Sequence, residues 1–199
     1  MSEPNADTSS APREVPPEEW KQHGKQLRID WGEMVSMATE GRNQAISYRD
    51  FKVGCSVLIW DANKREYRKD KAGNYKPKKD DSERGERKRC AERNVIRRAV
   101  NGSGDLIVAL VIVSSETFTE FGQPERAVLH SCKDCRCLMR ELVAQGVLHS
   151  QSIVLSVNDR YLVSKGQLVT EKMTVGKLLS HYPDDGDCGE DWSQKEATR

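Results

Sequence analysis

The sequence predicts an α/β protein, a three-layer α/β/α sandwich with a mixed sheet of about five strands. The run Leu106–Val113 is continuously apolar, which is typical of a central strand covered by helices on both faces. Segments of good helix formers begin on either side of it, at Cys90 and at Cys132. This alternation of helical and extended segments predicts one sheet with helices packed on it.

The remaining elements follow from hydrophobic period and from turn residues. Trp20–Ile46 is predicted to be mostly helical, because its apolar residues recur at helical spacing. Val53–Trp60 is predicted as a strand, and Glu66–Lys71 as its hairpin partner. Ile153–Val157 repeats the apolar character of the central strand, and a further strand is expected near Val169.

A chain of 199 residues predicts one folded domain, which we place at residues 19–183. Residues 1–18 are predicted to be a disordered N-terminal tail, and residues 184–199 an acidic C-terminal tail. Within the domain, residues 61–89 are predicted to be a charged insertion beside the functional site. Asn74–Asp81 has no apolar periodicity and is therefore not expected in the core. The insertion is either a solvated loop or a lid whose basic residues bind an anionic substrate or a nucleic-acid strand.

Composition limits the possible partners and compartments. The formal net charge of +1 argues against an obligate nucleic-acid binder, which normally has a strongly basic domain. No apolar run approaches the roughly 18 residues needed to cross a bilayer, so no membrane partner is expected. Met1–Arg13 lacks the apolar run of a secretory signal, which predicts a cytoplasmic protein without disulfides.

Three cysteines are the candidate metal ligands: Cys90, Cys132 and Cys135. Zinc binds thiolates in tetrahedral geometry, and a catalytic zinc site uses three protein ligands and leaves the fourth position open. Cys132 and Cys135 lie one helical turn apart and therefore on one face. Because both helices begin at a cysteine, their positive N-terminal ends are expected to point at the sulfur atoms.

Glu92 is the carboxylate that this ligand set leaves free. It could take a proton from an attacking water and return it to a leaving nitrogen, which is general acid and base catalysis by one residue. Three thiolates on a divalent ion leave one net negative charge, which opposes activation of water. Arg93 and Arg136 are close enough in sequence to the ligands to compensate for it.

The alternative is a closed, structural zinc site with Cys137 or a histidine as fourth ligand. Cys137 follows Cys135 by two positions, which on a helix turns it roughly 200° away, so we expect it in the core.

These residues resemble the zinc-dependent cytidine deaminase family, in its small type with Cys-Ala-Glu at the first metal motif. The resemblance extends from about Trp31 to about Pro183. Tyr48–Cys55 is similar to the family's Tyr-x-x-Phe-x-Val-Gly-Ala segment, and Val175–Tyr182 is similar to its closing helix.

The resemblance implies a Zn²⁺ enzyme of pyrimidine salvage that deaminates a cytosine-type ring hydrolytically at C4. It implies that the three cysteines bind the metal, that Glu92 shuttles the proton and that Arg93 tempers the thiolate charge. The implied substrate contacts are Phe51 to the base or sugar, Asn74 to the ribose, and the backbone carbonyl of Ala91 to the exocyclic amine. Small members are usually homotetramers, so a homo-oligomer, tetramer or dimer, is implied.

Lys76 departs from the family pattern, because it stands where the family has a ribose-binding glutamate. A cation at this position replaces a hydrogen-bond acceptor with a donor. We therefore expect a substrate that carries a carboxylate or phosphate, or one that lacks a standard ribose.

Three functions remain open from the sequence. The first is deamination of cytidine, deoxycytidine or a modified nucleoside, including an aminoacylated antibiotic of the blasticidin type. The second is deamination of cytosine in single-stranded RNA or DNA, although the chain lacks a clear basic and aromatic strand-binding stripe. The third is a zinc-retaining binding module without turnover, which would have no need of Glu92.

Overall fold

The structure, a computed structural model, describes residues 29–47, 51–76, 89–100, 104–115, 128–160, 166 and 168–183. Both predicted tails lie outside the described residues, as do residues 77–88 of the predicted insertion. The helices are α1 Trp31–Asn43, α2 Ala91–Ala99, α3 Lys133–Ala144 and α4 Val175–Ser180. The strands are β1 Ile46–Ser47, β2 Val53–Asp61, β3 Glu66–Gly73, β4 Tyr75–Lys76, β5 Asp105–Ser114, β6 Leu148–Asn158 and β7 Val169–Thr174.

Five of these strands form one mixed sheet in the order β3-β2-β5-β6-β7. β5 and β6 are parallel and are connected through α3, whereas the other neighbouring pairs are antiparallel. The predicted α/β fold with a mixed sheet of about five strands is therefore confirmed. The hairpin partner of β2 is longer than predicted, because it continues to Gly73.

The side chains of β5 divide the core into two layers. Leu110 and Ile112 pack with α2, α3 and α4 on one face of the sheet. Val111 and Val113 point to the other face, where they pack with Met34 of α1. This alternation follows from the two-residue period of a strand, and it explains why a strand buried on both faces reads as a continuous apolar run. The predicted three-layer arrangement is confirmed.

Helix α1 begins at Trp31, where the Asp30 side chain accepts a hydrogen bond of 2.9 Å from the Glu33 N–H. The predicted helix was longer, and residues 20–28 lie outside the described part of the chain. α1 lies unusually close to the sheet: a Cβ added to Gly54 would lie 1.8 Å from the carbonyl oxygen of Ala38. Glycine permits this approach, which fixes the start of β2 directly under the helix.

A short parallel pair, β1 with β4, lies beside the main sheet. It corrects the expectation that the chain from Asn74 onwards forms a loop outside the core. Asn74 is 2% exposed, and both ends of its side-chain amide are used. Its Oδ1 accepts from the Val53 N–H at 2.8 Å, and its Nδ2 donates to the Phe51 carbonyl at 2.9 Å. A buried amide is stable only when hydrogen-bonded in this way.

None of the helices in the described ranges is both long enough and apolar enough to span a membrane.

Candidate active site

The candidate site lies where α2 and α3 begin. Cys90 is the N-cap residue of α2, and Cys132 is the N-cap residue of α3. Neither side chain caps its helix through a hydrogen bond of the usual kind, in contrast to Asp30 at α1. The positive ends of both helices therefore face the sulfur atoms. The predicted pairing of two helix starts is present.

The structure brings the three predicted ligands together. The sulfur atoms of Cys90, Cys132 and Cys135 all lie within 4.8 Å of one another, and those of Cys90 and Cys132 are 3.4 Å apart. A tetrahedral zinc ion holds its sulfur ligands at about 2.3 Å, which separates them by about 3.8 Å. The cluster can therefore hold a metal ion. Across the described ranges, no further cysteine, histidine or acidic side chain joins this group.

The pKa values of the three thiols in the cluster are shifted in different directions. Hydrogen bonds from Cys135 and Cys90 lower the pKa of Cys132, and the charge of Arg93 acts in the same direction. The bond to Cys132 raises the pKa of both Cys90 and Cys135. Without metal, the cluster thus favours one thiolate held by two thiols. Binding of a divalent ion would require the other protons to leave.

Glu92 is in the first turn of α2 and is 4% exposed. Burial first, and the nearby Cys132 thiolate second, raise the pKa of its carboxyl group to about 7. Desolvation disfavours the charged form of a buried acid, and a neighbouring negative charge adds to that effect. The carboxyl group can therefore hold or release a proton near neutral pH.

Two buried arginines flank the cluster. Arg93 is 7% exposed, and its Nη2 lies 3.4 Å from the carbonyl oxygen of Asp134 on α3. Arg136 donates to the carbonyl of Ser131, and its guanidinium carbon lies 3.8 Å from the ring centroid of Tyr182. Arg93 thus reaches from one helix start to the other, whereas Arg136 ties the segment before Cys132 to the chain beyond α4.

Ser131, directly before Cys132, is a buried polar residue of the site. It is 1% exposed, and its side chain hydrogen-bonds the Glu92 carboxyl group, which lowers the pKa of that group. A hydrogen bond to the ionised form of an acid favours that form and partly opposes the effect of burial. The three thiols beside it are a donor set that suits a zinc ion.

His130 and Tyr182 support the same segment. His130 Nε2 lies 2.8 Å from a carboxylate oxygen of Glu171, and its Nδ1 lies 3.1 Å from the Tyr182 hydroxyl. These contacts give His130, two residues before Cys132, a structural role. Tyr182 could not have been assigned from spacing, because its partners come from distant parts of the sequence.

The predicted substrate contacts form a second group. Lys76 Nζ lies 5.0 Å from the centroid of the Phe51 ring, and Asn74 bonds the Phe51 backbone. Tyr75 and Arg89 form an antiparallel bridge. Because the two segments run in opposite directions, the residue before Tyr75, Asn74, lies opposite the residue after Arg89, Cys90. The amide of Asn74 is used to position Phe51, and its contact with a ribose stays a prediction. Ala91 is fully buried between Cys90 and Glu92, and its carbonyl contact likewise stays a prediction.

Cys137 departs from the expectation that the protein has no disulfides. It is 3% exposed, as predicted for a core position, but it is disulfide-bonded. A cysteine in a disulfide cannot act as a thiolate ligand. The closed site with Cys137 as fourth ligand is therefore incompatible with this structure.

No protein-family model matches the sequence. No curated protein matches it either. Among solved structures, the chain is similar to the cytidine deaminase from Burkholderia pseudomallei, with 16% identity and a TM-score of 0.48 over 75% of this chain and 96% of that one. It is similar to the cytidine deaminase from Mycobacterium tuberculosis, with 22% identity and a TM-score of 0.42 over 63% of this chain and 84% of that one. It is also similar to the cytidine deaminase from Mycobacterium leprae, with 18% identity and a TM-score of 0.45 over 76% of this chain and 98% of that one. Similarities of this size carry no argument about the chemistry of this chain.

We expect Cys132→Ser to lose the metal site, because a hydroxyl is a poor replacement for a thiolate ligand. The wild-type chain should bind one zinc per chain, measured by elemental analysis after dialysis. The variant should retain less than about a tenth of that amount. The matched control is Cys55→Ala, which removes a buried thiol outside the cluster and should keep full zinc content. Wild-type zinc content in Cys132→Ser would contradict the assignment.

Proposed function

We propose that this protein is a zinc-dependent hydrolytic deaminase that converts a cytosine-type nucleoside to its uracil form and releases ammonia. The observation that carries the proposal is the position of Glu92, a buried carboxylic acid beside a cluster of three cysteine sulfurs at two helix starts. A purely structural metal site has no need of such an acid. The residue types also match the motifs on which the resemblance to cytidine deaminases rests.

Cys90, Cys132 and Cys135 would hold the zinc ion. When bound, zinc makes a water molecule acidic enough to act as a nucleophile near neutral pH. Arg93 offsets the negative charge of the thiolates, since its charge already favours the Cys132 thiolate without metal. Both helix N-termini act in the same direction.

Glu92 is proposed to move the proton. Its burial excludes bulk water, and its raised pKa allows it to be ionised or protonated at neutral pH. It would take a proton from the attacking water and deliver protons to the ring and to the leaving amine. In the overall reaction a C4–O bond forms, the C4–N bond breaks, and the nitrogen leaves as ammonia. An acid and base whose pKa is near the working pH suits both transfers.

Phe51 and Lys76 are proposed to hold the substrate. The Phe51 ring offers an apolar surface for the base or sugar, and Asn74 holds its backbone in place. The carbonyl of Ala91, next to Glu92 in the chain, would accept a hydrogen bond from the exocyclic amine. Lys76 lies over the Phe51 ring, so an acidic group on the substrate would meet a cation at this position. The proposed substrate is therefore a cytosine nucleoside, or an anionic or modified analogue. A homo-oligomer, implied by the resemblance, stays a prediction.

Glu92→Gln should keep the metal and lose the reaction, because the amide retains the size of the side chain but cannot carry the proton. We expect wild-type zinc content and a fall in kcat of at least about 10²-fold to 10⁴-fold. Ammonia release and loss of ultraviolet absorbance would be followed for cytidine, deoxycytidine, cytosine, deoxycytidine monophosphate, blasticidin S and a cytosine-containing oligonucleotide.

The control for this variant is Glu66→Gln, which neutralises an exposed carboxylate in the hairpin and should leave turnover unchanged. Full activity in Glu92→Gln would remove Glu92 from the mechanism. Turnover of the oligonucleotide alone would replace the nucleoside with a single-stranded nucleic acid as substrate. A wild-type protein that binds zinc and turns over none of these compounds would favour the non-catalytic module.

Lys76→Glu should change the choice of substrate rather than the chemistry. Reversing the charge beside Phe51 removes an attraction for an acidic substrate group, worth about 1.4 kcal/mol for each tenfold change. We expect the KM for deoxycytidine monophosphate to rise at least tenfold relative to that for cytidine, with kcat for cytidine little changed. Lys64→Glu, at the far turn of the hairpin, is the charge-matched control. An unchanged ratio would exclude Lys76 from recognition.

A further inference from the structure

We propose that the protein has a second ligand site, separate from the deaminase site, which binds a small molecule carrying a phosphate group. A cavity of about 600 Å³ lies at the outer face of α2, beside the short pair β1 and β4. This volume is in the range of small-molecule sites, roughly 300–1,000 Å³. The described residues that line it are Gln44, Ile46, Ala72, Gly73, Asn74, Tyr75, Arg89, Asn94, Arg97 and Arg98.

The described lining is basic. It contains three arginines, Arg89, Arg97 and Arg98, and no aspartate or glutamate. Arg98 is fixed in orientation, because its Nε and Nη2 donate to the two carboxylate oxygens of Asp70 at 2.8 and 2.6 Å. A guanidinium group presents several N–H donors in one plane, which matches the oxygen atoms of a phosphate. The charge of Arg98 is balanced by Asp70, and Arg89 and Arg97 bring two further guanidinium groups to the described lining, which favours an anionic ligand.

The rest of the lining suits an organic body attached to that phosphate. Gln44 and Asn94 contribute amides, Tyr75 contributes an aromatic side chain, and Ile46 is a large apolar residue that is 55% exposed. Such an apolar residue, left open at the edge of a basic cavity, gives a ring or sugar a surface to pack on. The described lining therefore suits a phosphate ester better than a free phosphate ion.

The geometry of α2 separates this cavity from the metal cluster. At about 100° per residue, Asn94, Arg97 and Arg98 lie roughly 140–240° around the helix from Glu92. Glu92 faces the cluster and the buried core, so the three cavity residues face the other way. The metal ligands do not line the cavity.

The short strand β4 runs between the cavity and the proposed substrate contacts. The side chains of Asn74 and Lys76 are both directed to Phe51, the proposed substrate contact. Tyr75 lies between them and, since successive side chains alternate along a strand, points to the opposite side. Two backbone hydrogen bonds between Tyr75 and Arg89, of 2.9 and 2.8 Å, hold these two lining residues side by side. Tyr75 and Lys76 therefore point to opposite sides of this strand, and Asn74, which also lines the cavity, lies where the cavity and the proposed substrate contacts adjoin.

The test is isothermal titration calorimetry of the zinc-loaded, full-length protein at constant ionic strength. The probes are adenosine monophosphate, inorganic pyrophosphate and adenosine, none of which has a cytosine ring. We expect saturable binding of adenosine monophosphate with a Kd below about 1 mM, weaker binding of pyrophosphate, and none of adenosine. Arg89→Gln combined with Arg97→Gln should weaken binding at least about tenfold. Lys64→Gln, which removes one positive charge at the turn between β2 and β3 and so matches the single variant Arg97→Gln, should leave binding unchanged.

Arg98 is left intact in this test, because its bonds to Asp70 support the fold. If the double variant loses zinc or melts at a lower temperature than the wild type, the single variant Arg97→Gln is titrated in its place. The proposal is overturned if adenosine monophosphate does not bind, if adenosine binds equally well, if the arginine variants bind normally, or if cytidine displaces the probe. Deamination is not the readout, so failure here leaves the proposed enzymatic function untouched.

Discussion

Concentrated negative charge at two helix starts must be offset if the cysteine cluster is to form. Three sulfur atoms within 4.8 Å of one another, with a buried carboxyl group beside them, would repel strongly if all were ionised. The helix N-termini and the positive charge of Arg93 oppose this repulsion. Since α2 and α3 both pack on the same face of the sheet, the core that stabilises the fold also sets the distance between the ligands.

Much of this arrangement could be predicted from the sequence, because its signals are local. A cysteine at the start of a helical segment marks both a ligand and a helix N-terminus, as at Cys90 and Cys132. The three-residue spacing of Cys132 and Cys135 indicates that they lie one turn apart on one helix. The run Leu106–Val113 indicated a strand buried on both faces, and β5 is that strand. Patterns of this kind depend only on periodicity and on neighbouring residues.

The features that the sequence could not predict depend on contacts between distant segments. Asn74 looked like part of a charged loop, yet hydrogen bonds to Phe51 and Val53, more than twenty residues earlier in the chain, bury it. Cys137 was expected in the core, but spacing along a helix contains no information about its disulfide. Arg97 drew no attention, because the cavity that it lines exists only once α2 lies beside β1 and β4.

In the proposed site three cysteines hold the metal, and one position is left for water. X-ray absorption at the zinc edge of the zinc-loaded protein can decide this, because the method counts sulfur neighbours separately from oxygen and nitrogen ones. We expect three sulfur ligands and one lighter ligand. Four sulfur ligands would indicate a closed structural site, and fewer than three would show that the cysteine cluster does not bind the metal as a unit.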